Sequence, residues 1–270
     1  MTDHTEIDLL FAGREKAICC HRVGDAIVDP GPQTCSETLL AALDGWQPKA
    51  ILLTHIHLDH AAAAGALLRE WPDTELWVHE SGARHMADPE RLIASAEQIY
   101  GSRMDELWGE IVPVPEDRMV VLTGGEERDG FKVAYTPGHA KHHVCYLHIE
   151  SELAFTGDNA GVRIEDGPIL PPTPPPDIDL ELWAQSIETV RDLKPRALAL
   201  THFGTFADVD GHLDAMQSAL THWGDLARHV DADEFERQMM DVAGDKRRYT
   251  VAMPMATLHA GLVEYWEKRT

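Results

Sequence analysis

With 270 residues, 44% of them apolar and 26% charged, the chain can bury roughly three quarters of its unfolded surface, which excludes a disordered segment or a small scaffold needing disulfide staples. A formal charge of -23, from 46 acidic against 23 basic residues, repels a polyphosphate backbone and makes nucleic acid a poor partner. No apolar stretch reaches the roughly 18 residues of a membrane span, no charged-then-apolar leader opens the chain, and Cys19, Cys20, Cys35 and Cys145 show no C-x-x-C spacing, so reduced thiols and a cytoplasmic location are expected.

Ala26 to Val28 predicts a strand that runs into the turn Asp29-Pro30-Gly31. Thr34-Cys35-Ser36-Glu37 is a capping-box pattern for a helix that stops before Gly45 and Pro48. Strand 50 to 53 follows, then a helix rich in small residues over Ala61 to Leu68, then a strand over Thr74 to Val78. Between Ser81 and Ile111 the alternation stops. Asp88 and Pro89 open a helix there, and Ala96, Tyr100, Met104, Leu107, Trp108 and Ile111 form a stripe at helical spacing, read as core packing with a helical lid as the functional alternative.

Strand character resumes over Val120 to Phe155, punctuated by Gly124-Gly125 and Asp129-Gly130. Six prolines among residues 168 to 176 predict a stiff extended loop, close enough to Asp158 to wall a pocket. A helix is expected from about Asp179, with Leu180, Trp183, Ile187, Val190 and Leu193 on one stripe. After His202 the pattern reads as helical, and Leu213, Met216, Leu220, Trp223, Ala227 and Val230 must bury against the chain's own sheet or a second subunit, so a homodimer is one expectation. The expected boundary falls near residue 205, with 1-205 as one domain carrying the 81-111 insertion and 206-270 as a helical extension packed on it.

Four apolar runs end in threonine, at Thr54, Thr136, Thr156 and Thr201, and each is followed within a few residues by metal-ligand types. They deliver His55, His57, Asp59 and His60; then His139; then Asp158; then His202. Short apolar runs of this kind are buried strands, so four strand ends point seven nitrogen and oxygen donors at one place. His55 and His57, two apart, project to one side, while Asp59 and His60 start the next helix and reach a second position. Three protein donors per ion suit a catalytic metal that keeps a place for water. His55, His57 and His139 are assigned to a first ion, Asp59, His60 and His202 to a second, and Asp158 lies between them. With no cysteine in the set, zinc is the first choice and iron or manganese remain open. His142 and His143 are candidates for orienting the ligands or touching substrate. The segments Ile51 to His55 and Leu198 to His202 echo each other, as two facing half-sheets would.

His55 to His60, Gly138-His139, Gly157-Asp158 and His202 together resemble the H-x-H-x-D-H, G-H, G-D and final H pattern of the metallo-β-lactamase superfamily. The resemblance spans residues 50 to 202 and implies an α/β fold of the αββα sandwich type, with the metals at one edge between two sheets. Gly138 to Tyr146 is similar to the glyoxalase II-like and lactonase-like hydrolases of that superfamily. True β-lactamases of this fold usually lack the bridging acid, here Asp158; flavodiiron members carry a carboxylate where His57 stands. Gly161 occupies the position where acyl-homoserine lactonases carry a tyrosine, and Lys246-Arg247-Arg248 reads as solvated charge rather than a glutathione clamp. The expected activity is hydrolysis of an ester, lactone or thioester in a small molecule by a hydroxide bridging two divalent ions, with Asp59 orienting the hydroxide proton. An iron-dependent persulfide dioxygenase and a phosphodiesterase of the same fold are the alternatives.

Overall fold

The computed structural model describes residues 4–244 and 246–269, with the side chains of Lys246 and Arg247 outside the described set. Twelve strands form two six-stranded sheets among the described residues. In the first, β1 (His4–Asp8), β2 (Cys19–Val23), β3 (Ala26–Val28), β4 (Ala50–Leu52), β5 (Glu75–His79) and β6 (Met119–Leu122) lie side by side in chain order. The second runs β12 (Gly204–Phe206), β11 (Ala197–Leu200), β10 (Leu153–Phe155), β9 (Val144–His148), β8 (Phe131–Tyr135), β7 (Glu127–Arg128). β3 to β6 are parallel, as are β10 and β11; the other pairings are antiparallel.

Side-chain alternation explains why the central strands are apolar throughout. Ala50 and Leu52 of β4 meet Tyr146, Phe155 and Ala199 in a core between the sheets, while Ile51 and Leu53 face helices on the outer side. The second sheet does the same: Ala197 and Ala199 point inward, Leu198 and Leu200 outward. A strand buried on both faces needs apolar residues at every position. The outer face of the first sheet is covered by α1 (Ser36–Leu43), α2 (Leu58–Ala61), α3 (Ala64–Glu70), α4 (Glu80–Ala87), α5 (Glu90–Tyr100) and α6 (Met104–Trp108). The outer face of the second is covered by α7 (Leu180–Asp192), α8 (Val209–Leu226), α9 (Ala232–Ala243), α10 (Lys246–Ala252) and α11 (Met255–Glu267). The result is an α/β sandwich of helix, sheet, sheet and helix layers.

Three features depart from the sequence reading. β1 and β2 precede the first expected strand, and β12 stands where helix was expected after His202. Thr34 does not cap α1; its hydroxyl donates to the Leu107 carbonyl at 2.8 Å, tying the α1 entrance to α6. The small-residue helix divides into α2 and α3, the first holding Asp59 and His60.

The α8 stripe is buried within the chain itself. Leu213, Met216, Leu220, Trp223 and Ala227 share one core with Trp183, Ile187 and Val190 of α7 and with Leu198 and Leu200 of the sheet. Ala96, Leu107 and Trp108 of the 81–111 segment are likewise buried, with Trp108 stacked on Phe11 at 5.4 Å. Burial of side chains this large contributes on the order of 2 kcal/mol each, which fixes α5 and α6 against the first sheet. All four cysteines are free and buried.

Candidate metal centre

The C-terminal ends of β4, β10 and β11 and the connection from β8 to β9 meet at one edge of the sandwich, and the donors stand just beyond them. Hydrogen bonds close that edge: Val144 N–H donates to the Thr54 carbonyl at 2.8 Å, and the Tyr146 hydroxyl to the Leu53 carbonyl at 2.9 Å. Gly157 has φ 47°, and a Cβ there would lie 2.4 Å from Thr54 Oγ1. The glycine before Asp158 is therefore required by the close approach of two strand ends. Gly138, before His139, is wedged against the α7 backbone in the same way: a Cβ there would lie 2.3 Å from Trp183 N.

His55, His57, His139 and Asp158 form one group of donor atoms, and Asp59, His60 and His202 form another, each within 4.8 Å. In the first, the Nε2 atoms of His55 and His139 both lie 3.0 Å from His57 Nδ1. His139 Nδ1 donates to the Pro172 carbonyl at 2.9 Å, so its Nε2 turns a lone pair inward. Thr54 gives its hydroxyl proton to Asp29 Oδ2 at 2.7 Å, so its oxygen accepts from His55 Nδ1 at 3.1 Å. His55 Nε2 is thereby unprotonated too. Three nitrogens thus converge with at most one hydrogen among them, an arrangement that suits a cation.

The second group is built with carboxylates. His202 Nε2 is 3.3 Å from Asp59 Oδ2 and 3.5 Å from Asp158 Oδ1; His60 Nε2 is 3.3 Å from Asp158 Oδ1. Asp158 presents its other oxygen to the first group, with Oδ2 3.2 Å from His139 Nε2 and 3.9 Å from His55 Nε2. One carboxylate therefore spans both groups. His60 Nε2 and Asp158 Oδ1 are buried without a hydrogen-bond partner, and such atoms are costly unless something charged meets them.

Electrostatics divide the groups. Burial, followed by the neighbouring imidazoles, pushes His55 well below the ordinary histidine range; burial holds His139 at about 4 despite Asp158. His60 is raised instead: Asp158, Asp59 and Asp29 outweigh its burial. For Asp158, burial is outweighed by His60, His139 and His202, so its carboxyl stays ionised well below its usual range. Asp59 is likewise lowered, chiefly by His60 and then His202 against burial.

Sequence reasoning missed Asp29. This fully buried carboxylate accepts from Thr54 N–H at 2.8 Å, from the Thr54 and Thr201 hydroxyls at 2.7 Å each, and from His60 Nδ1 at 2.8 Å. It ties the ends of β3, β4 and β11 together and aims the His60 ring. The available signal was the apolar run Ala26 to Val28, which ends directly in an acid. The Ala17 carbonyl, accepting from His202 Nδ1 at 2.7 Å, has no side-chain signature at all.

His142 and His143 part company. His143 is buried behind the ligands, with Nδ1 2.8 Å from Thr136 Oγ1 and its ring 5.0 Å from that of His55. His142 lines the cavity, 5.6 Å from the His57 ring. That cavity, about 620 Å³, opens over Asp59 and Asp158 and is walled by α4, α5, the Pro172 to Pro176 loop and the segment before α11. Arg248 pairs with Glu165 at 3.3 Å and is not among the cavity residues, while the Lys246 and Arg247 side chains of the same expected charged cluster lie outside the described residues.

The family model described as the metallo-beta-lactamase superfamily matches residues 21–202, spanning every donor above. The chain belongs to that superfamily. Among relatives in the superfamily, the fold-containing protein ST1585 of Sulfurisphaera tokodaii is 30% identical over 177 residues, covering 62% of this chain and 66% of that one. A hydroxyacylglutathione hydrolase of an Enterobacter species is 32% identical over 134 residues, 49% of this chain and 41% of its own length. The chain thus spans just under two thirds of the first relative and less than half of the second. Among solved structures, the family protein TTHA1429 of Thermus thermophilus superposes with TM-score 0.70 at 20% identity, over 99% of this chain and 93% of that one. The crystal structure of ST1585 gives TM-score 0.66 at 24% identity, over 92% and 99%. At these identities the superpositions show the shared fold. No helix among the described residues is long and apolar enough to cross a membrane.

Proposed function

We propose that the protein is a dinuclear metal-dependent hydrolase that cleaves an ester, lactone or thioester in a small molecule. The observation that carries this reading is Asp158, whose two oxygens face the two donor groups at 3.2 and 3.3 Å. His55, His57 and His139 would hold one ion, Asp59, His60 and His202 the other, and Asp158 both. Zinc fits this donor set first, with iron or manganese as the other choices. Bound there, two divalent cations supply Lewis acidity and bring the pKa of water down toward about 7.

The chain's own residues set up the rest. Asp59 lines the cavity with an ionised carboxylate, so it can accept and orient the proton of an attacking water. Asp29 and the Pro172 and Ala17 carbonyls fix the rings of His60, His139 and His202 through their outer nitrogens. The apolar residues nearest the floor, among them Leu58, Ala96, Pro172 and Leu258, lower the local dielectric and strengthen charge interactions there. The similarity to hydroxyacylglutathione hydrolases supports a thioester within this substrate class.

Metal analysis of the purified protein, paired with an acyl panel of thioesters, lactones and esters, tests the reading. Two ions per chain and turnover that a chelator abolishes are expected. Oxygen uptake with a persulfide at one iron per chain, or cleavage of phosphodiesters alone, would contradict it.

A further inference from the structure

The cavity is chemically lopsided. Its floor carries Asp59 and Asp158, and its remaining acids are Glu80 and Asp177, of which Asp177 is taken up by Lys141 at 2.7 Å. Against these stand Arg84 on α4 and Arg91 on α5, both exposed cavity residues in a chain of net charge -23. Among the described residues neither guanidinium has an ion-pair partner, although most cations on this acidic surface find carboxylates; Arg84 Nε donates only to His85 Nε2, at 3.2 Å. Both arginines line the same cavity, on neighbouring helices. His85, also in the cavity wall, is lowered first by burial and then by the positive charges of Arg84 and Arg91.

α5 sets the distance from this cationic pair to the donor cluster. Arg91 stands in its first turn, and Tyr100 ends it. Tyr100 lines the same cavity as Asp59 and Asp158, and its phenol is raised by burial and then by the Asp59 carboxylate. Nine residues at 1.5 Å each separate the two positions by about 13 Å. Between them the cavity face of the helix is mostly apolar, with Leu92, Ala96 and Ile99 beside the one hydroxyl of Ser95. The wall therefore offers a cluster of cations, an apolar stretch, and the donor cluster, in that order.

We propose that the substrate is an ester or thioester with an apolar arm ending in an anionic group, a carboxylate or a phosphate, which Arg84 and Arg91 hold while the acyl carbon lies over Asp59 and Asp158. This rests on the hydrolase reading and names its substrate class. Guanidinium pairs fit either oxyanion through bidentate hydrogen bonds, and an arm without a terminal charge leaves them unpaired. Arg84 and Arg91 are specificity-determining residues in this account, acting on the far end of the substrate and not on the reacting atoms.

The test is equilibrium binding to the metal-loaded protein, which needs no turnover. Straight-chain monocarboxylates are compared by calorimetry with α,ω-dicarboxylates and ω-phosphono carboxylates of about eight to ten carbons. At least one doubly anionic series should bind at least tenfold tighter than monocarboxylates of equal length, and the stronger series identifies the anion. In Arg84→Ala/Arg91→Ala, whose side chains are exposed and whose loss leaves the core intact, the ratio should fall to about one. An equal affinity for all three series in the native protein, or a preference that survives in the double variant, would overturn the proposal. The outcome is separable from the hydrolase reading. Ester turnover without a preference for the second anion sinks only this inference, whereas arginine-dependent dianion binding with no acyl turnover sinks the hydrolase reading, and the ester with it, while the anion site on Arg84 and Arg91 stands.

Discussion

The two donor groups are built on matching strands and end up electrically opposite. β4 and β11 are both interior strands of their sheets, each runs into a threonine and a histidine, and both threonine hydroxyls donate to Asp29 Oδ2. Yet the His55, His57 and His139 group is pushed toward neutral imidazoles by burial, while His60 and His202 sit among Asp158, Asp59 and Asp29 and are raised. The frame is shared; the difference comes from where the carboxylates fall. Two ions held by groups that differ in this way need not be bound or released alike, and the Asp158 carboxylate faces both groups.

The largest effect is expected from cutting that coupling. Asp158→Ala should reduce the metal content from two ions to one and lower kcat by about a thousandfold or more, since both clamping and water activation are lost. Metal analysis and single-turnover kinetics read it, and full turnover with two ions retained would break the comparison. Next in size is the shared frame itself. Asp29→Ala strips four donors of their acceptor, so metal affinity should fall about ten- to a hundredfold and stability by about 3 kcal/mol. Competition with a chromophoric chelator should show the larger loss in the group that contains His60; an equal loss in both would mean that Asp29 does not orient that ring.

Gly157→Ala probes the closeness of the two halves. Its Cβ would meet Thr54 Oγ1 at 2.4 Å and His143 Nε2 at 2.9 Å, and the backbone there already has φ 47°. A loss of about 2 kcal/mol in urea unfolding is expected, and unchanged stability would show that the strand ends can part. The smallest effect separates ligand histidines from a structural one. His21 donates Nε2–H to the Leu200 carbonyl at 3.0 Å and is held at about 4 by burial. Its folded pKa lies below its unfolded one, so its contribution is complete above about pH 6.5 and is lost as the pH falls toward 4, by about 2 kcal/mol at pH 4.5. His21→Gln should flatten the stability profile in that window; an unchanged slope would show that the acid sensitivity lies elsewhere.

How much of this was legible in the sequence follows from how local each feature is. His55 to His60 is one hexapeptide, and His139, Asp158 and His202 each follow an apolar run closed by a threonine, so a linear pattern carries the whole donor set. The inner strands were legible for the same reason, since strands buried on both faces are apolar at every position; their arrangement as a sandwich came from the family resemblance. β1 and β12 lie at sheet edges with exposed polar residues and leave no such run. Asp29 was hidden because its importance comes from the meeting of β3, β4 and β11, which no short pattern records. Arg84 and Arg91 were hidden for another reason: on an exposed helix they look like ordinary solvated charge until the cavity beneath them is seen.

Diffraction from metal-loaded crystals, with an anomalous difference map at the metal edge, tests the central claim most directly. Two peaks about 3.5 to 4 Å apart are expected, one among His55, His57 and His139 and one among Asp59, His60 and His202, with the Asp158 carboxylate touching both. A single peak, or two peaks with Asp158 bound to only one, would contradict it.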